Sequence, residues 1–178
     1  LKLDLEVVFE DDYLAIIYKP AGILVSGNKF VTIANGLTQN LKKSKHSNAV
    51  KPQPVHRLDY PTSGLLLVGK TNTAITELSK LFEHKEIKKT YFAITIGEMT
   101  SKGTINSTID EKDALTEFEV IASVASERFS FLNLVKLQPK TGRKHQIRKH
   151  LFAIGNPVLG DKEYFLEHKI LNGKGLFL

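Results

Sequence analysis

Residues 54–71 read Pro-Val-His-Arg-Leu-Asp-Tyr-Pro-Thr-Ser-Gly-Leu-Leu-Leu-Val-Gly-Lys-Thr: a turn-rich loop that carries one acid, Asp59, into a short apolar run. Tyr60-Pro61 turns the backbone away from helix, because the proline ring crowds the residue before it. Thr62, Ser63 and Gly64 continue the turn. The run Leu65 to Val68 is too short for a helix and lacks polar alternation, so it is expected to be a strand buried on both faces. An acid at the mouth of such a strand sits on a rigid mount. An aspartate in this setting can also be a plain turn former. The flanking His56-Arg57 favours the functional reading, since nearby cations support the anionic form that a nucleophile needs.

The same stretch contains Gly64-Leu-Leu-Leu-Val-Gly69-Lys70-Thr71, which has the spacing of a phosphate-binding P-loop. Such a loop follows its strand and leaves backbone N–H groups free for phosphate. Here the spacer residues are all branched aliphatics and read as the strand itself. A nucleotide hydrolase is therefore not expected, and Thr71 reads as the N-cap of the next helix.

The chain has 178 residues, a length for one domain with a real core. Its 42% hydrophobic content is that of a soluble globular protein. No run approaches the roughly 18 apolar residues of a membrane span, and no leader is apparent. Zero cysteines exclude disulfides, thiolate metal sites and a cysteine nucleophile, and fit the cytoplasm. A net charge of +6 and a pI near 9.4 point to an anionic partner, nucleic acid first.

Leu3 to Phe9 and Tyr13 to Tyr18 read as a strand pair around the turn Glu10-Asp11-Asp12, and Lys19-Pro20-Ala21-Gly22 stops the second strand. Ile33, Leu37 and Leu41 recur at helical spacing. Residues 42–53 carry Lys42, Lys43, Lys45 and Lys51 and almost nothing apolar, so they read as a mobile loop. Ile75, Leu78, Leu81 and Phe82 predict a helix over 72–84 with these four in the core. Residues 88–97 alternate: Thr90, Phe92, Ile94 and Ile96 share the more apolar face, and Tyr91, Ala93 and Thr95 the other. Three further strands, 104–109, 115–122 and 128–137, suggest an antiparallel meander. The expected class is α+β, a mixed, mainly antiparallel sheet with flanking helices.

Residues 140–161 are the most basic stretch. Ile147, Leu151 and Ile154 form an apolar stripe that Gly155 and Pro157 end, so a helix is expected to open with Arg143, Lys144 and His145, with Arg148 and Lys149 following. Cations at a helix start oppose its dipole, and a chain that accepts this cost has an anion to bind. Arginine suits a planar fork onto carboxylate or phosphate. His145 and His150 are five apart with no glutamate in a zinc-binding frame, so no metal site is expected.

His56-Arg-Leu-Asp59 followed by Thr62-Ser-Gly-Leu-Leu-Leu67 resembles the signature of the RluA-type RNA pseudouridine synthases. The opening Val7-Val-Phe-Glu-Asp-Asp12 to Tyr18-Lys-Pro-Ala-Gly22 is similar to the start of that catalytic domain, although the family more often has Asn at Tyr18 and His at Ser26. Lys89-Thr-Tyr91-Phe-Ala93 resembles its second motif, and the stretch from Thr141-Gly-Arg143 its third. The resemblance implies the pseudouridine synthase catalytic-domain fold over 1–178, with a C-terminal continuation missing after Gly175-Leu-Phe-Leu178. It implies isomerisation of uridine to pseudouridine in ribosomal or transfer RNA, with no cofactor. Asp59 would be the catalytic aspartate, Tyr91 would pack on the flipped base, and Arg143 would pair with Asp59. His56, Arg57, Lys89, Lys144, His145 and Arg148 would hold the RNA. A monomer acting in the cytoplasm, away from membranes, is expected. The alternative is a non-catalytic RNA-binding domain of the same fold.

Overall fold

The computed structural model describes residues 3–167, 169, 171, 173 and 175–178. The chain is α+β and divides into two compact units, Leu1–Ile87 and Lys88–Leu178. Among the described residues no helix is long and apolar enough to cross a membrane.

The first unit contains β1 (Glu6–Glu10), β2 (Leu14–Lys19), α1 (Ile33–Asn40), β3 (Ala49–Pro54), β4 (Gly64–Thr71) and α2 (Asn72–Glu83). Its sheet has the order β1-β2-β4-β3, with every neighbouring pair antiparallel. The β1–β2 turn forms as expected, because the Asp11 carboxylate accepts the N–H groups of Tyr13 at 2.7 Å and Leu14 at 2.8 Å. β1 begins later than the hydrophobic pattern suggests. Leu3 and Leu5 are tied instead to α1, where the Asn40 amide donates to Leu3 O and accepts from Leu5 N. α1 starts on Thr32, whose hydroxyl accepts the Asn35 N–H, and buries Ile33 and Leu37 completely.

Two expectations about this sheet need correction. The stretch 42–53 is not all loop, since β3 begins at Ala49 and pairs with β4. As an edge strand it tolerates Pro52 and Pro54, which hid it in the sequence. β4 is also not buried on both faces. Leu66 and Val68 are fully buried, but Leu65 is 59% exposed. The register pairs Ile17 with Leu66 and Ala15 with Val68 on one covered face. The other face is covered incompletely by α2.

α2 is capped by the Thr71 hydroxyl, which accepts the Ala74 N–H at 3.1 Å. It packs on β4 at Gly69, where a β-carbon would stand 2.5 Å from Ile75 Cγ1. Ile75, Leu78, Leu81 and Phe82 are half-buried rather than core residues, because the helix lies at the unit surface. Lys70 is buried, and its ammonium pairs with the Glu10 carboxylate at 2.7 Å and donates to Asp11 O. Gly69 and Lys70 therefore lie in a paired strand with their groups committed, which removes the P-loop reading.

The second unit contains β5 (Tyr91–Ile96), β6 (Lys102–Ile109), β7 (Lys112–Ser126), β8 (Ser130–Pro139) and α3 (Gln146–Ala153). The expected meander is present, and β5 joins it through β8 to give the antiparallel order β5-β8-β7-β6. Ala93, Ile105, Phe118, Val135 and Leu137 on the sheet pack with Ile147 and Leu151 of α3. Each of these side chains except Ala93 contributes about 1.5–3 kcal/mol through burial. Tyr91 and Ala93 of β5 face this core, while on the opposite, more apolar face Phe92 is 54% exposed and Ile94 and Ile96 join a second cluster with Phe129 and Leu159. α3 decides this, because it covers the face of the sheet that carries the small and polar residues.

Candidate active site

Asp59 is half-buried in the loop joining β3 to β4. Leu58 and Thr62 are buried on either side of it and plug the loop onto the unit. The turn is closed by Thr62 N–H donating to Asp59 O at 3.1 Å. Beneath it lies Lys19. Because β2 buries Ala15 and Ile17, the same strand parity buries Lys19, which is fully inaccessible. Its ammonium donates to Thr62 O at 2.7 Å, Pro20 O at 3.0 Å and Tyr60 O at 3.4 Å. Gly22 N–H adds a bond to Tyr60 O at 2.8 Å. The acid's loop is thus stapled from below by one cation through two of its carbonyls, those of Tyr60 and Thr62. Burial pushes the Lys19 ammonium down to about 8, against the opposing pull of the Asp59 carboxylate.

His56 belongs to the same scaffold. Its Nε2 accepts the Leu67 N–H at 3.0 Å, and its ring stacks on Phe82 with centroids 4.6 Å apart. Arg57, between His56 and the buried Leu58, is exposed. The structure thus holds His56, Arg57 and Asp59 on one clamped loop in the first unit.

In the second unit Tyr91 opens β5 opposite Leu137 and is half-buried against the core. Two residues earlier, Lys89 Nζ donates to Thr141 O at 3.3 Å, which ties the start of the strand to the 141–145 loop. Arg143 does not open the helix as expected. α3 begins at Gln146, and Arg143, Lys144 and His145 precede it, with His145 in the left-handed region at φ 54°. The reason is Gln146, which the sequence reading missed. Its carbonyl oxygen accepts from Thr141 Oγ1 at 2.7 Å and Arg143 N–H at 3.0 Å. Its amide donates to Leu115 O and Thr116 Oγ1, each at 3.0 Å. One buried side chain therefore moulds the loop and pins it to β7. The Arg143 guanidinium donates through Nε to Asp113 O at 3.1 Å.

Lys144 is exposed. His145 Nδ1 lies 3.1 Å from Tyr164 Oη and 3.4 Å from a Glu163 carboxylate oxygen. Arg148 is placed differently from the surface cation that was expected. It is 4% exposed and forks onto Asp161 with two bonds of 2.7 Å, with Glu163 at 3.2 Å and the Tyr164 ring 4.9 Å away. Burial alone would push the Asp161 carboxyl up, but Arg148 and the N–H groups of Glu163 and Tyr164 hold it below the ordinary value. Burial pushes the Tyr164 phenol up to about 12, helped by Glu163. His150 is buried on Thr116 Oγ1 at 2.9 Å, and burial lowers its basicity.

One unit presents a carboxylate on a clamped loop, and the other a phenol on a strand and a guanidinium on a pinned loop. Comparison with known proteins identifies the family. The pattern of the RNA pseudouridylate synthase family matches residues 13–153. The chain is 39% identical to the "Uncharacterized RNA pseudouridine synthase YhcT" of Bacillus subtilis (strain 168), over 97% of this chain and 62% of that protein. It is 33% identical to the "Dual-specificity RNA pseudouridine synthase RluA" of Haemophilus influenzae, over 90% of this chain and 77% of that one. The solved structure "Human RNA Pseudouridylate Synthase Domain Containing 4" superposes with a TM-score of 0.74 at 28% identity, covering 92% of this chain and 70% of its own. The chain thus spans less than two thirds of the Bacillus protein's length. By matched pattern, identity and fold together, this chain belongs to the RluA-type family of RNA pseudouridine synthases.

Proposed function

We propose that the protein isomerises uridine to pseudouridine at specific sites in structured ribosomal or transfer RNA, with Asp59 as the catalytic aspartate. The C1′–N1 glycosidic bond breaks, the freed base turns, and a C1′–C5 bond forms as the C5 proton leaves to solvent and N1 takes up a proton in its place. Nothing is oxidised or reduced, so the chemistry calls for no cofactor. Asp59 supplies the carboxylate that stabilises or attacks the electron-poor ribose or base. Tyr91 packs on the base and exchanges a proton with it. Arg143 serves the ionised form of Asp59. The uridine must leave the RNA stack first, at a cost of a few kcal/mol. Arg57 and His56 hold the strand it leaves, and Lys89, Lys144 and His145 neutralise phosphates. Arg148, committed to Asp161, supports these residues from within rather than meeting RNA. The protein acts as a monomer, in one catalytic domain and in the cytoplasm.

The observation that carries this reading is the stapling of the Asp59 loop by Lys19. A turn-forming aspartate has no need of a buried cation beneath it, whereas a working carboxylate must be held in place. Tritium release from RNA labelled at uridine C5 tests the activity. Wild-type protein is expected to release tritium from its RNA, and a protein that binds the RNA without release would be a binding domain instead.

A further inference from the structure

Two exposed aromatic rings stand in segments joined to the Asp59 loop, and the reaction as proposed gives them no task. Tyr60, directly after Asp59, is 52% exposed although its backbone is fixed by Gly22 N–H and the Lys19 ammonium. Its hydroxyl lies 4.0 Å from where a β-carbon on Gly22 would be, so the phenol end reaches over that turn. From Gly22 the chain runs two residues to Leu24, which bridges to Thr32. The loop 25–31 leaves and returns at that bridge and carries Phe30 at its rim, 77% exposed and the most exposed large hydrophobic among the described residues. The loop is built rather than loose. The Asn35 amide donates to Phe30 O at 3.0 Å and Lys29 O at 3.4 Å, and the α1 start bonds back to Leu24 O and Val25 O. Water is a poor setting for a phenyl ring held on a fixed backbone. Lys29 and Arg57, both exposed, flank the two rings in sequence.

We propose that Phe30 and Tyr60 form a stacking ledge for unpaired bases flanking the target uridine, with Lys29 and Arg57 on the adjoining phosphates. The assignment rests on the RNA substrate proposed above and narrows it to single-stranded or looped RNA. Exposed rings, with exposed cations one and three residues away along the chain, supply the two contacts an unpaired nucleotide needs. Every base has a π-face, so such contacts tolerate sequence while demanding that bases be unstacked. A duplex offers only phosphates to this surface.

The test compares two RNA probes of equal phosphate count: a hairpin with an unpaired uridine-containing loop and a fully paired duplex. Phe30→Ala and Tyr60→Ala are each expected to weaken hairpin binding roughly 5- to 100-fold. Duplex binding and the salt slope should stay as in wild type, and Phe30→Tyr should bind like wild type. Unchanged hairpin binding by Phe30→Ala, or an equal loss on both probes, overturns the ledge. The Phe30 variants decide the matter alone if Tyr60→Ala disturbs its loop. Wild-type tritium release runs alongside. Release with no effect of Phe30→Ala defeats the ledge and leaves the isomerase reading standing. A Phe30-dependent hairpin preference without release defeats the isomerase reading and leaves the ledge.

Discussion

Replacing Lys19 by methionine separates the stability of the first unit from the placement of its acid. The folded ammonium titrates near about 8 instead of 10.5, so burying it charged costs roughly 3 kcal/mol, which the substitution recovers. Against this stand the bonds to Thr62, Pro20 and Tyr60 carbonyls, of which the two shorter are worth about 1.5–3 kcal/mol each because the donor is charged. The two effects nearly offset, and Lys19→Met should lose no more than about 3 kcal/mol in urea unfolding. Pseudouridine formation should nevertheless fall on the order of 100-fold, since an unclamped loop misplaces Asp59 by an ångström or so. The pH dependence isolates the cation. Between pH 8 and 10.5 the unfolded chain keeps the Lys19 proton that the folded chain sheds, so wild-type stability gains from Lys19 as pH rises through that window. The stability difference between wild type and Lys19→Met should therefore shift toward wild type from pH 8 to 10. A pH-independent difference, or a folded variant with wild-type turnover, would refute the reasoning.

Gln146→Leu strands the Arg143 N–H and the Thr116 and Leu115 groups, and should cost about 2–4 kcal/mol in chemical denaturation with a further drop in kcat. Arg148→Met leaves the Asp161 carboxylate buried and unpaired, so a loss of roughly 3–5 kcal/mol is expected, with Arg148→Met/Asp161→Asn recovering part of it. Gly69→Ala drives a methyl into Ile75 and should lower thermal stability by about 1–3 kcal/mol through displacement of α2, and an unchanged melting temperature would contradict the packing.

Much of the fold was readable because the residues that set it act locally. Asp11 and Thr71 form their turn and cap as their sequence positions suggest, and the meander of β6, β7 and β8 follows its alternation. The failures share a physical cause: the deciding partner was far along the chain. β3 is a strand only because β4 offers it an edge. Tyr91 faces the core only because α3 covers that side of β5. The start of α3 was misplaced because Gln146 takes its bonds from Leu115, Thr116 and Thr141 as well as from its own turn. The motif residues of the candidate site were legible as residue types, but their supports were not. Lys19 could have been found from strand parity with Ala15 and Ile17, since a lysine on a buried face must have acceptors. The burial of Arg148 had no comparable signal, because Asp161 lies beyond the helix in an irregular segment.

The central assignment is the carboxylate of Asp59, and one substitution addresses it without changing shape. Asp59→Asn should fold, bind the hairpin RNA with wild-type affinity and release no tritium from C5-labelled uridine. Turnover by Asp59→Asn close to the wild-type rate would contradict the account, whatever the RNA.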